Sequence, residues 1–530
     1  MKKNGTKRNT GKTVFAALLT LTALSYLTWR IGWTVPYDHG ALSVACAWIL
    51  LVTEIFGAAE LLGYFWLDRR GKEPEKLRSS TPGVDVFVTA CGEPPELLER
   101  TLRACLAMKY AGKKQVWLLD DMPGEGMRRM AEELGVGYLT RENRENAKAG
   151  NLNAALKRTG APLIAVFDAD MAPRENFLQV TVPLMTGHVA YVQTPQHFRN
   201  RDLFQKAFSG KRAIPNEQDF FYRAIEPARN ASNAVILAGS NMLLSRTALR
   251  EIGGFVTGTL TEDFATGIAL SKRGYLTRAV DEPLADGLAP ESLGALLRQR
   301  KRWAGGCIQA GRKERILTGK GLTLRQRISY LLAVGYWYFP VKRLIYMATP
   351  LLFALGNVTV MRSDPGMAAI FWLPMFLLTG VGVILSSRGT RTVGWSMLYE
   401  TVLSPFLFGT VLRTALGPGK REFEVTDKSG KRDFRLRWLL PFLLGMGLNG
   451  WGLWAAVTRS LNEGTFLYAL LILWIAYHFY LELLGFLFVL ASGRKRKDPL
   501  AGADEDRDGI RIFPLLENKL ILFFRGIVHR

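Results

Sequence analysis

Pairs of carboxylates stand where two short β-rich runs end. Val116–Leu119 runs into Asp120 and Asp121, and Leu163–Phe167 runs into Asp168-Ala169-Asp170. Ligands of open α/β sheets bind outside the carboxyl ends of the strands, so acidic groups there are placed to meet one. A carboxylate approaches a diphosphate only through a divalent cation, and Mg²⁺ commonly takes one or two carboxylates plus phosphate oxygens. Asp168 and Asp170, either side of a small residue, could supply those ligands, with the metal acting as a Lewis acid on a departing diphosphate. Asp120 could accept hydrogen bonds from a ribose or a base, or serve only as a cap at the strand end. Lys148, in the run Lys148-Ala149-Gly150-Asn151-Leu152-Asn153, could face phosphates, or be an ordinary solvated lysine before a helix. An Asp-x-Asp spacing often arises by chance and is not specific by itself.

Two further clusters follow. Thr261-Glu262-Asp263 comes after Gly253-Gly254-Phe255 and opens a helical stretch. A carboxylate there can take the proton from an attacking hydroxyl, which is general base catalysis; the same pattern also serves as an acidic cap favoured by the helix dipole. Gln299-Arg300-Lys301-Arg302-Trp303 lies just before a strongly apolar region. Arg302 could hold a diphosphate and Trp303 could stack on a sugar ring, although basic-aromatic clusters are common beside membranes.

Positioning these groups falls to alternating strands and helices. Val84–Ala90 is a first β run, followed by Gly92, Pro94 and Pro95 and a helical stretch from Glu96. Val116–Leu119, Leu163–Phe167 and Val189–Gln193 are the next strands. This alternation predicts a mostly parallel sheet with helices on both faces, spanning residues 68–321.

Apolar runs long enough for a bilayer flank that domain at 13–34, 41–67, 344–361, 367–386, 437–457 and 465–491. The first is read as a retained anchor, since it is long and lacks a small-x-small cleavage site. Stretches 322–343 and 393–416 carry charges within apolar sequence and read as helices lying at the interface. The domains expected are 1–67, with a basic segment and two spans; 68–321; 322–491, with interface helices, four spans and a loop at 417–436; and a tail, 492–530. Glu54 and Glu60 fall inside the second span, where a carboxylate costs roughly 2–3 kcal/mol, so each faces a wet path or an interhelical partner.

Lys and Arg outnumber Asp and Glu by 69 to 46, for a net charge of +23. The basic segments 1–12, 68–78, 311–327, 417–437 and 494–498 fall on one face of a six-span arrangement. The positive-inside rule then makes that face, and the α/β domain, cytoplasmic. Nothing resembles a nucleic-acid-binding motif. Cys46, Cys91, Cys105 and Cys307 show no CxxC pair and no zinc spacing, which argues against a disulfide framework.

Read in order, the motifs resemble the processive family-2 glycosyltransferases, most closely the bacterial cellulose synthase catalytic subunit and related curdlan and mixed-linkage β-glucan synthases. The matching pieces are Val84-Asp85-Val86-Phe87 through Glu93, Asp120-Asp121, Lys148–Asn153, Asp168-x-Asp170, Val192-Gln193-Thr194-Pro195, Thr261-Glu262-Asp263 and Gln299-x-x-Arg302-Trp303. Phe423-Glu424-Val425-Thr426-Asp427-Lys428 resembles the family's gating loop. The resemblance implies a cytosolic GT-A (Rossmann-like) α/β domain set in a plasma-membrane domain of about six spans, with Mg²⁺ or Mn²⁺. It implies a UDP-sugar donor, UDP-glucose favoured, and a nascent polysaccharide acceptor that crosses the bilayer. Thr89, Glu93, Asp120 and Lys148 would bind the nucleotide side, and Asp168 and Asp170 the metal-diphosphate. Asp263 would be the base with Glu262 beside it, Gln299, Arg302 and Trp303 would line the acceptor and diphosphate site, and Thr426 and Lys428 would close over the donor.

The chain departs from the family at Cys91-Gly92 before Glu93, at Leu237-Ala238-Gly239-Ser240 near the acceptor end, and at Ala304-Gly305-Gly306 after the tryptophan. Linkage therefore stays open among β-1,4, β-1,3 and mixed β-1,3/1,4, with a chitin- or hyaluronan-type synthase or a silent channel subunit as alternatives. The short tail leaves no expectation of a PilZ domain that binds cyclic di-GMP.

Overall fold

A computed structural model describes residues 3–68, 81–208, 214–387, 389–417, 434–463 and 468–493. The expected gating loop, with Thr426 and Lys428, and nearly all of the tail lie outside the described residues.

Two long helices, α1 (Lys3–Trp33) and α2 (Gly40–Asp68), precede an α/β domain. In chain order that domain contains β1 (Val84–Ala90), α3 (Pro95–Ala107), β2 (Lys114–Asp120), α4 (Glu125–Glu133), β3 (Gly137–Thr140), α5 (Ala147–Arg158), β4 (Leu163–Asp168), β5 (Ala172–Pro173), α6 (Phe177–Thr181), β6 (Val189–Gln193), β7 (His197–Phe198) and α7 (Leu203–Phe208). A π-helical turn, Phe220–Ile225, leads into α8 (Glu226–Arg229). Then come β8 (Met242–Ser245), α9 (Arg246–Glu251), α10 (Glu262–Lys272), β9 (Leu276–Ala279), β10 (Ala285–Gly287) and α11 (Leu293–Lys313). The last described elements are α12 (Leu324–Tyr336), α13 (Phe339–Gly356), α14 (Pro365–Ser386), α15 (Val393–Leu416), α16 (Leu440–Glu463) and α17 (Ala469–Ser492).

The main sheet has the order β3-β2-β1-β4-β8-β6-β9. Its pairs are parallel except at β8, which runs antiparallel to both β4 and β6. The expected strands are present and the sheet is mostly parallel. The reversed β8 was not legible, because Met242-Leu243-Leu244 is a short apolar run with neither alternation nor a turn signal of its own. β1 is buried along its whole length, which fits a central strand covered on both faces. Asp85 within it is neutralised by Arg246 of α9 at 2.7 Å and also accepts from Trp117 Nε1 at 3.0 Å and the Ala161 N–H at 2.8 Å. Apolar clusters fill both sides of the sheet, one with α3 and α6, the other with α5 and α9.

Five helical segments among the described residues are long and apolar enough to cross a membrane: Thr13–Trp33, Gly40–Leu67, Pro365–Ser386, Leu436–Glu463 and Ala469–Ser492. The sixth expected span, 344–361, falls on α13 with shifted bounds. That helix begins at Phe339, so its 18 residues include Lys342 and Arg343, which lowers its mean hydropathy. Its placement still matches a crossing segment. Lys342 near its start pairs with Glu60 near the end of α2. Beyond its end, the Arg362 N–H donates to Thr34 O at 2.8 Å and Arg362 Nη1 pairs with Asp38 at 2.9 Å, in the loop joining α1 and α2. α13 therefore runs antiparallel to α2 over about 27 Å, at 1.5 Å per residue. Its charges face other helices: Arg343 is buried and donates through Nε to Thr401 Oγ1 at 2.9 Å. Glu54 pairs with the fully buried Arg30 of α1 at 2.8 Å. Both acidic residues of the second span thus have interhelical partners. α12 and α15 pack between the α/β domain and the bundle, with the middle of α15 buried.

Candidate active site

The carboxyl ends of β1, β2 and β4 lie side by side, because β4 and β2 flank β1 in parallel register, with Thr89 opposite both Asp168 and Leu119. Asp120 is buried at the end of β2. Its Oδ1 accepts from the Met122 N–H and its Oδ2 from the Tyr138 hydroxyl, both at 2.9 Å. Burial and this carboxylate push the Tyr138 phenol up to about 12. Glu93 Oε2 accepts from the Cys91 N–H at 2.6 Å, closing the turn after β1. Thr89 faces inward, its hydroxyl donating to Phe167 O at 3.4 Å.

Lys148 reaches the centre of this edge from the first turn of α5. Its ammonium pairs with Asp168 and donates to Gly239 O at 2.6 Å. A residue not flagged by the sequence makes this possible. Arg141 binds Asp121 through Nε at 2.6 Å and Nη2 at 2.7 Å, and donates to Glu145 O and Ala147 O, both at 2.7 Å. Asn146 and Ala147 adopt left-handed backbone at φ 61° and 41°, unusual for residues with a Cβ. Arg141 thus braces the turn that delivers Lys148.

Asp168 is 38 % exposed, while Asp170 is 2 % exposed with Leu288 N–H at 3.4 Å from its Oδ2. Among the described residues, no third acidic, His or Cys side chain joins them in a group fit for a metal ion. Two carboxylates at one strand end, one of them open, suit a hard cation that draws its remaining ligands from substrate oxygens and water.

Opposite them, α10 begins at Glu262. Asp263 Oδ1 accepts from the Phe264 N–H at 2.8 Å. Its Oδ2 lies 2.6 Å from where a Cβ on Gly239 would stand, and Gly239 has φ +82°. Only glycine fits there. The segment carrying it is anchored by Gln193, which donates to Ser240 O at 2.8 Å and accepts from the Ala238 N–H at 2.9 Å, and by Glu226, which accepts from the Ile236 N–H at 2.7 Å. Ser240 Oγ in turn accepts from the Asp168 N–H at 2.9 Å. Gly239 and Ser240 therefore join Lys148, Asp168 and Asp263, a convergence of residues far apart in sequence.

Burial raises Asp263 above the ordinary carboxylate range, against the opposing pull of Arg302 and Lys148. Burial, then the charge of Asp263, push Glu262 up to about 7. α11 carries Gln299, Arg302 and Trp303, and Arg302 lies close enough for its charge to act on Glu262 and Asp263. Gly306 permits the approach, since a Cβ there would come within 2.5 Å of Thr261 Cγ2, whereas a Cβ on Gly305 would meet nothing nearer than Thr414 Oγ1 at 3.4 Å. Gln299 Oε1 is buried with no hydrogen-bond partner among the described residues. Trp303 and Trp337 pack edge to face, with centroids 6.5 Å apart at 69°. The four cysteines are free.

Residues 82–306 match the model of the glycosyltransferase-like family 2, and residues 224–396 match cellulose synthase. The chain is 32 % identical over 514 residues to the UDP-forming cellulose synthase 1 catalytic subunit of Komagataeibacter xylinus, covering 93 % of this chain and 68 % of that protein. Identity to the UDP-forming catalytic subunit of Pseudomonas fluorescens is 33 % over 494 residues, 87 % of this chain and 66 % of that one. Other relatives are much longer: the chain spans 27 % of cellulose synthase 2 of Novacetimonas hansenii, at 34 % identity over 434 residues and 80 % of this chain. Among solved structures, a mannosyltransferase from Pyrobaculum calidifontis, in complex with GDP-Man and Mn²⁺, superposes with a TM-score of 0.50 at 20 % identity, over 71 % of this chain and 99 % of that one, and so shares its fold. With a GT-A α/β domain joined to membrane-length helices, the chain belongs to the cellulose synthase family of family-2 glycosyltransferases.

Proposed function

We propose that the protein is a processive, inverting β-glucan synthase that polymerises glucose from UDP-glucose and passes the product across the plasma membrane, with its α/β domain in the cytoplasm. The observation that carries this reading is the convergence of Asp263, Gly239, Lys148 and Asp168 at the strand ends, with α11 linking that point to the membrane helices. The family's UDP-forming members support the donor class, and the basic segments beside the spans support the orientation.

Asp120 and Glu93 shape the nucleotide end. Lys148 and Arg302 face the diphosphate and offset its charge as the bond to the sugar breaks. Asp168 and Asp170 would hold Mg²⁺ or Mn²⁺, which when bound supplies Lewis-acid stabilisation of the leaving group. Asp263 Oδ2, against the Gly239 backbone, accepts the proton of the acceptor hydroxyl as that oxygen attacks the anomeric carbon from the face opposite UDP. Displacement from that face inverts the sugar from α to β. Glu262, held near neutrality by burial, limits repulsion beside the base. Trp303 offers the ring on which the terminal sugar stacks, and Gln299 Oε1 has unused hydrogen-bonding capacity for a sugar hydroxyl.

The test is incubation of the detergent-purified protein with labelled UDP-glucose, UDP-N-acetylglucosamine or UDP-glucuronate, each with Mg²⁺ or Mn²⁺. Products are then digested with glucanases specific for β-1,4, β-1,3 and mixed linkages. Polymer from UDP-glucose alone is the expected outcome, and the digest assigns its linkage. Polymer only from another donor moves the assignment to a chitin- or hyaluronan-type enzyme. No polymer from any donor overturns the reading.

A further inference from the structure

Between Gln299 and Arg302, the motif on α11 carries Arg300, a position its pattern leaves open. Arg300 and Trp303 are three residues apart and so share a helix face. The guanidinium carbon of Arg300 lies 4.4 Å from the centroid of the Trp303 ring, close enough for planar stacking and cation–π attraction. The arginine side chain is 5 % exposed and is ion-paired with Glu217, itself 10 % exposed. A buried charge that loses its partner is strongly penalised, so the pair confines the guanidinium to one place.

Glu217 is held in turn by its backbone. Its N–H donates to Asp202 Oδ2 at 3.0 Å, and Asp202 Oδ1 accepts from the Gln205 N–H at 2.7 Å in the first turn of α7. The flanking residues are similarly fixed, with Asn216 N–H to Asp219 Oδ2 at 3.1 Å and Gln218 N–H to Asn216 Oδ1 at 2.9 Å. α7 is anchored on the membrane bundle, Phe204 stacking on Phe488 of α17 with centroids 4.4 Å apart. Trp303 is therefore covered by Arg300 and packs edge to face with Trp337.

We propose that Glu217 and Arg300 form a clamp that fixes the orientation of Trp303, making both of them positioning residues for chain extension. This rests on the reading of Trp303 as the acceptor platform. A pair that only stabilised the fold would affect donor use and acceptor use alike. A clamp on the platform acts on the acceptor: donor is still bound and cleaved, but the sugar is less often passed to the polymer and more often to water. Water then supplies the attacking oxygen, so each abortive cycle yields free glucose and UDP, and the proton goes to the same base.

The experiment uses the full chain in detergent with UDP-glucose and Mn²⁺, measuring UDP released and glucose incorporated into polymer. In Arg300→Lys and Glu217→Gln, the KM for UDP-glucose stays at the wild-type value. The polymer formed per UDP released falls about fivefold, the scale of a lost cation–π contact. In a Trp303→Ala background, adding Arg300→Lys changes nothing further. Additive losses, a parallel rise in donor KM or an unchanged coupling ratio would each overturn the clamp. A second measurement is independent of polymer synthesis. The ¹⁹F resonance of 5-fluorotryptophan at position 303, assigned by its loss in Trp303→Phe, shifts and broadens in Glu217→Gln. An unmoved resonance overturns the clamp. A wild-type protein that makes no polymer while this resonance moves sinks the functional reading and leaves the clamp standing.

Discussion

The donor half and the acceptor half of the site are built on opposite principles. Along the strand ends the polar groups already have protein partners: Asp120 with Tyr138, Asp121 with Arg141, Asp168 with Lys148, Glu93 with the Cys91 N–H. Across the cleft, Gln299 Oε1 is buried without a partner among the described residues, and burial holds Glu262 and Asp263 above their ordinary values. An unmade buried hydrogen bond costs about 1–3 kcal/mol, so the acceptor half carries stored instability where the donor half carries little. The difference fits the ligands each half would take. A nucleotide diphosphate is charged and constant, so its site can be pre-paired and electrostatically fixed. A growing chain must enter, react and advance by one sugar each cycle, so its site gains from groups that only a sugar hydroxyl satisfies, and only for part of the cycle.

The largest way to break this contrast is Asp263→Asn. The amide cannot take the proton, and loss of a general base costs about 10²–10⁴-fold in rate. Transfer is expected to be nearly abolished while UDP binding, measured by calorimetry, stays intact, because no donor-half partner is removed. Wild-type turnover would show that the base lies elsewhere. Weakened UDP binding would show that the two halves are not separable.

Gly239→Ala comes next. The new Cβ would sit 2.6 Å from Asp263 Oδ2 and would require φ near +82° of a residue with a side chain. The base or the loop must move by a few tenths of an ångström or more, and displacements approaching 1 Å can cost about 10²-fold. The expected result is a large fall in kcat with a smaller change in the KM for UDP-glucose. Unchanged kinetics would mean that the approach of Gly239 to the base has no part in catalysis.

The donor half was also the more legible in sequence. Asp120, Asp168 and Asp170 announce themselves because a strand end is a local feature: an apolar run stops and an acid follows. Asp263 and Trp303 were found through motifs whose order carried the inference. What escaped notice depends on contacts between distant segments. Arg141 is an unremarkable arginine until the fold brings Asp121 beside it. Gly239 lay in a segment, Leu237-Ala238-Gly239-Ser240, that stood out only for its difference from the family, and becomes a steric requirement only once α10 is in place. Glu217 meets Arg300 across 83 residues. In the bundle, Glu54 and Glu60 were conspicuous as charges in an apolar span, but their partners Arg30 and Lys342 lie on other helices. The same limit moved a span boundary, since α13 tolerates Lys342 and Arg343 only because α2 and α15 supply Glu60 and Thr401.

The smallest of these effects sharpens the contrast through pH. Asp263 must be ionised to act as a base, so activity falls as the pH drops through its pKa. Burial lifts that value above the usual aspartate range of about 3.9, and among the charges that draw it back down Arg302 is the strongest, ahead of Lys148. Arg302→Met removes a stabilising positive charge from the carboxylate, so the acid limb of kcat should move to higher pH, whatever the variant loses in maximal rate. Arg141→Met breaks a charge pair of the donor half without touching Asp263, and should raise the KM for UDP-glucose through a misplaced Lys148 while moving the acid limb less than Arg302→Met does, since Lys148 is the weaker of the two charges acting on Asp263. Rate–pH profiles of the two variants beside wild type make the comparison. Equal shifts in both would mean that one electrostatic field governs the whole cleft. A shift confined to Arg302→Met would mean that proton transfer is tuned by a residue carried on the helix that leads into the membrane, and not by the charge pairs of the strand ends.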